Sequence, residues 1–145
     1  MKQILLLVLV TLPLYSQEKG KLNQYIESIA QENVLKGSAV GQAGIMPRQY
    51  KRYLKLKELA TEKELKQLLK HENLVVRIYA LRAIVQRNIK INGYNLVVAN
   101  LNNYKKVQTL NGCMGYAEYY GDLILATLSS LMLFAAKALE TFSWL

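Results

Sequence analysis

The chain has one cysteine, one histidine and two prolines among 145 residues. A single cysteine excludes an intrachain disulfide framework and any zinc site built from several thiolates. A single histidine means that any Ser–His or Cys–His catalytic pair must converge on His71. With only two prolines and eight glycines, collagenous and proline-rich classes fall away as well. Acidic residues are scarce, 10 Asp+Glu against 19 Lys+Arg, which leaves a formal charge of +9. Apolar residues are plentiful at 52%, enough for a packed core rather than a disordered chain. The length fits one domain, or one domain with a tail, since domains cluster near ~100–150 residues.

Residues 1–16 read MKQILLLVLVTLPLYS. Lys2 is a short positive start, Ile4 to Leu14 is an apolar run, and Ser16 precedes the polar Gln17-Glu18-Lys19. That order is the pattern of a cleaved secretory signal peptide. The run is too short for a bilayer span, which needs ~17–25 residues. The expected location is therefore outside the cytoplasm, in the periplasm or cell envelope.

Beyond the signal the dominant periodicity is helical. Leu22, Tyr25, Ile26 and Ile29 predict a helix over 21–35, and Gly37, Gly41 and Gly44 then break the pattern. In 47–60, Arg48, Lys51, Arg52 and Lys55 share one face, opposite Tyr53, Leu56 and Ala60. Thr61 with Glu64 three residues on is a capping box, and it starts a separate helix carrying Leu65, Leu68 and Leu69. Asn73 suits the N-cap of a third helix over 74–88, apolar nearly all round. Tyr79, Arg82 and Gln86 form its narrow polar strip, while Arg77 projects toward the apolar side and needs a hydrogen-bonded partner. A weaker helical pattern covers 94–103, residues 104–115 read as loop, and a long apolar helix runs from Tyr116 to about Leu139.

The stretch ELKQLLKHENLVVRIYALRAIVQRN resembles a HEAT-type repeat in its leucine stripe, short polar turn and Val76-Arg77-x-x-Ala80 signature. The resemblance implies an all-α fold of antiparallel helix pairs. It also implies that Arg77 bonds to a polar residue near the turn and that Ala80 lets the paired helices approach. With the export signal, the chain resembles small exported bacterial helical-repeat proteins. The expected division is a signal at 1–16, a short helix and glycine-containing linker at 17–45, a HEAT-like domain at 46–115 and a C-terminal apolar helix at 116–145.

No motif points to catalysis, a metal or a cofactor. His71-Glu72 lacks the second histidine of a zinc-protease helix, and His71 reads better as a turn residue. Cys113 would need His71 as its base to act as a nucleophile, and a small buried thiol is the plainer reading. Glu58, Glu62, Glu64 and Glu72 alternate mostly with lysines, as on solvated faces. The face made by Arg48, Lys51, Arg52 and Lys55 suits a protein partner, an anionic membrane surface or an envelope polymer. The export signal argues against nucleic acid, despite the tyrosines interleaved in that face. The sequence therefore predicts a non-catalytic exported module for protein–protein interaction or scaffolding. Its alternative is an envelope subunit membrane-associated through residues 123–139.

Overall fold

Leu22, Ile26 and Ile29 lie on one side of a helix, α1, that occupies residues 19–32 and buries Leu22 and Ile29. The computed structural model describes residues 19–130, so the signal reading at 1–16 and the end of the 123–139 segment lie outside the described residues. Asn33 ends α1 at φ 49, its N–H bonded to the Ile29 carbonyl at 3.1 Å. Strand β1 (Val34–Val40) follows at once.

Four helices come next: α2 (Arg48–Leu59), α3 (Glu62–Leu68), α4 (Leu74–Gln86) and α5 (Gly93–Val98). Thr61 caps α3 by accepting from the Glu64 N–H, and the Glu64 carboxylate accepts from the Thr61 N–H at 2.9 Å. Asn73 caps α4, its Oδ1 accepting from the N–H groups of Val75 and Val76 at 2.9 and 3.1 Å. Its Nδ2 donates to the Ala30 carbonyl and to Asn33 Oδ1, so one side chain starts α4 and ties it to the end of α1. Strands β2 (Lys106–Gly112) and β3 (Met114–Tyr119) form a hairpin, and a final helix, α6, occupies 120–130 within the described residues.

The sheet order is β1-β2-β3, with β1 parallel and β3 antiparallel to the central β2. The parallel pair requires the long crossover that α2–α5 supply. A two-residue loop, Gly112-Cys113, turns β2 into β3, and Gly112 takes φ 56 there, as the first position of a II′ turn demands. Leu35, Val107 and Thr109 face the core, together with buried residues of α2, α4 and α6. α4 is the central element and buries eight of its residues.

This sheet overturns the expected all-α, HEAT-like helical repeat: the protein is mixed α/β. Gly37 lies within β1 rather than in a linker. The presumed loop over 104–115 contains all of β2, and residues 116–119, assigned to the start of the long helix, belong to β3. The physical reason is that β1 and β2 are stabilised by partners distant in sequence. β2 carries too few apolar residues for its alternation to stand out, and Lys36-Gly37-Ser38 interrupts the apolar pattern of β1.

Buried Gln49 on α2 donates from Nε2 to the carbonyls of Ile29 and Val34 at 3.1 and 3.2 Å, joining α1 to β1. Buried Tyr79 on α4 donates to the Lys36 carbonyl and accepts from the Lys36 N–H, both at 2.9 Å. Its ring stacks on that of Tyr53, centroids 4.8 Å apart. Arg77 is half-buried, donates from Nε to the His71 carbonyl and lies 5.9 Å from the centre of the Tyr120 ring. Among the described residues no carboxylate pairs with it.

Two stability measurements follow. Arg77→Ala loses a charged hydrogen bond rather than a buried ion pair, so urea denaturation should show a loss of about 1.5–3 kcal/mol. An unchanged midpoint would show that Arg77 is dispensable to the α4–α6 packing. Burial raises the Tyr79 phenol from 10.0 to about 12 and pushes Tyr53 up further. A raised folded-state pKa gives stability that is complete below the unfolded value and lost as pH climbs through the folded one. Stability should therefore fall between about pH 10 and 12. Tyr79→Phe should lessen that fall and cost about 1–3 kcal/mol at neutral pH, because the Lys36 backbone loses its partner. Urea melts across that range, with phenolate absorbance, check both.

Candidate functional site

The polar strip of α4, Tyr79, Arg82 and Gln86, does not point into bulk water along its whole length. Tyr79 is buried against β1, Arg82 is half-buried and Gln86 is exposed. Arg82 and Gln86 line a cavity of about 710 Å³, within the range of ~300–1,000 Å³ typical of small-molecule sites. α2 contributes Tyr50 and Tyr53, and α6 contributes Leu123, Ala126 and Thr127. Gly37, Ser38 and Asn111 close the sheet side. A Cβ on Gly37 would collide with the Asn111 side-chain amide, so glycine is what lets that amide lie across β1.

Arg82 is the one charged residue in this lining among the described residues. Its guanidinium lies 6.0 Å from the centre of the Tyr79 ring. The hydrogen bonds of its neighbours are settled within the protein: Tyr53 donates to Gln86 Oε1 at 2.8 Å, and Lys57 also reaches that oxygen at 3.0 Å. Other arginines are engaged as well. Arg52 pairs with Glu32, Arg77 bonds the His71 carbonyl, and Arg87 donates to the Ala60 carbonyl at 2.6 Å. Arg82 has no such acceptor among the described residues.

The two edges of the sheet differ. The outer edge of β1 is closed: the Val34 carbonyl is taken by Gln49, both backbone groups of Lys36 by Tyr79, and Val40 pairs with Ile45 in both directions. The outer edge of β3 has no partner strand among the described residues. Asn111 faces Met114 across the two-residue turn, and hydrogen-bonded pairs then alternate down the hairpin to the Tyr120 N–H on the Lys105 carbonyl. This alternation turns the backbone groups of Gly115, Ala117 and Tyr119 outward. Met114, Tyr116 and Tyr119 remain 67%, 45% and 43% exposed beside them.

The sequence-nominated residues are scattered over several sites. Of the basic face of α2, Arg52 is paired with Glu32 and Lys55 with Glu58, while Arg48 and Lys51 are exposed without an acidic partner among the described residues. Ala80 is fully buried in α4; Thr61, Glu64 and Asn73 serve as caps. His71 lies in the turn before α4, its Nδ1 accepting from the Asn73 N–H at 3.0 Å. Cys113 is exposed at the hairpin tip rather than buried. Asn73 is tied to the start of β1, and Gly112 to its end through the Gly41 N–H. The length of β1, ~20 Å at ~3.3 Å per residue, therefore separates His71 from Cys113. Nor do any three His, Cys, Asp or Glu side chains gather as metal ligands among the described residues.

Residues 123–130 of the apolar C-terminal segment bury Leu123, Ile124 and Thr127 in the core. No helix of the described residues is long and apolar enough to cross a membrane. Sequence reasoning missed the cavity and the β3 edge. The α4 polar strip was the visible signal for the first; the second had none, because an open edge is a property of pairing. The chain matches no protein-family model, no curated protein and no solved structure.

The placement of Cys113 makes one outcome specific. N-Ethylmaleimide should label Cys113 completely in the folded protein at an ordinary thiol rate, and His71→Ala should leave that rate unchanged. A rate that depends on His71 would show the two acting together after all.

Proposed function

We propose that the protein is a non-catalytic interaction module that captures an extended segment of a partner protein by adding it as a strand to β3. The observation that carries this reading is the contrast between the sheet edges. Unpaired strand edges invite pairing with other chains, and proteins ordinarily block them. Here Gln49, Tyr79 and Ile45 block β1, and nothing among the described residues blocks β3. Main-chain hydrogen bonds would supply affinity, as in other strand-addition complexes. Gly115 and Ala117 leave room for the incoming backbone, and the exposed Met114, Tyr116 and Tyr119 offer contacts for its side chains.

Residues 1–16, read as an export signal, support the periplasm or cell envelope as the place where that partner is met. The separation of His71 from Cys113 supports a binding role over catalysis by that pair.

Proline at position 117 tests the reading, because the Ala117 N–H faces away from β2 and its loss spares the hairpin ladder. Peptides selected on the folded protein from a random library should protect the Gly115, Ala117 and Tyr119 amides from exchange. Ala117→Pro should weaken them at least tenfold while the thermal melt stays close to that of the parent. Peptides that bind the variant equally well would overturn strand addition. Concentration-dependent dimers abolished by Ala117→Pro would give the edge to a second copy of this chain instead.

A further inference from the structure

A half-buried arginine on a helix that packs on several sides normally has an acceptor, because an unmatched charge away from water is costly. Arg82 has none among the described residues and opens into the cavity instead. The Tyr79 ring, 6.0 Å from the guanidinium and itself stacked on Tyr53, attracts the charge without neutralising it. Across the cavity, α6 presents Leu123 and Ala126, and Val85 extends the apolar wall from α4. One end of the space is thus positive and able to donate, and much of its remaining wall is apolar.

We propose that this cavity is a binding site for a small monocarboxylic acid with an apolar body, its carboxylate paired with Arg82. A guanidinium offers parallel N–H donors that match both oxygens of a carboxylate. The single cation in the described lining balances one negative charge, which disfavours a dianionic phosphate ester. The Asn111 amide, held over Gly37, provides a further polar contact on the sheet wall. Val85, Leu123 and Ala126 cover the body of the ligand, whose burial supplies the hydrophobic part of the affinity. This site is separate from the β3 edge and stands or falls independently of strand addition there.

Acetate, phenylacetate and octanoate, titrated into the full chain and followed by protein NMR, test it, with phenylacetamide and octanamide as uncharged counterparts. Saturable shifts are expected at Gly37, Asn111 and the Arg82 side chain. At least one of the two larger acids should bind at least tenfold tighter than its amide and tighter than acetate. Arg82→Gln should weaken that acid at least tenfold, and Arg48→Gln should not. Ala126→Phe, which fills the space from α6 and leaves every charge in place, should abolish binding. Acids that bind no better than their amides, or no saturable binding by any of the three, would overturn the proposal without reference to a variant. So would an Arg82→Gln protein that retains full affinity.

Discussion

The phenol of Tyr79 is the point at which the helical and sheet halves of the protein meet. From the middle of α4 it satisfies both the N–H and the carbonyl of Lys36, and its ring lies flat on Tyr53 of α2. A backbone N–H and C=O facing outward from a strand must find partners or water. Tyr79 supplies both from one oxygen, so β1 can lie against the helices as an edge strand. Two residues earlier on that edge, Gln49 takes the Val34 carbonyl while also holding the Ile29 carbonyl of α1. β2 can then pair with β1 in parallel, and the β2–β3 hairpin follows in register.

Both candidate sites are consequences of that arrangement. Because the β1 edge is spent on Tyr79 and Gln49, the edge left unpaired among the described residues is that of β3, whose outward groups lie at Gly115, Ala117 and Tyr119. Because α4 grips β1 at Lys36, its next polar residue, Arg82, is placed about one turn further along, in a cavity that Gly37 and Ser38 also line. α6 crosses on the far side and leaves the space between. Its close entry depends on Gly121, where a Cβ would lie 2.7 Å from the Asn100 carbonyl oxygen. Arg82 of α4, Gly37 of β1 and the tyrosines of α2 thus meet at one place although they come from three different elements.

The helices were legible because their signals are local. Thr61 and Glu64 cap α3, and Asn73 caps α4, through contacts within three residues. The apolar spacing of Leu65 and Leu68 needs no distant partner to be recognised. The strands were not legible in the same way. β2 alternates Val107 and Thr109 with Lys106, Gln108 and Leu110, yet with so few apolar residues the pattern resembles loop. β1 contains Gly37 and Ser38, poor strand formers, and depends on Tyr79 and β2 for its shape. In β3, Tyr116 to Tyr119 merged with the apolar helix that follows, because no turn residue separates Tyr119 from Tyr120.

The roles of single polar residues divide along the same line. The sequence alone determined that α4 would be buried on most of its circumference, and that Tyr79, Arg82 and Gln86 would share a strip of it. It also determined the starts of α3 and α4, since a cap acts on its own next turn. Only the tertiary structure decided what that strip faces: a strand edge for Tyr79, a cavity for Arg82 and a tyrosine hydroxyl for Gln86. It alone decided which sheet edge is unpaired among the described residues and that Cys113 stands a strand's length from His71. Those outcomes rest on groups far apart in the chain, as the Lys36 backbone meets the Tyr79 phenol 43 residues on, and no local pattern encodes such a meeting.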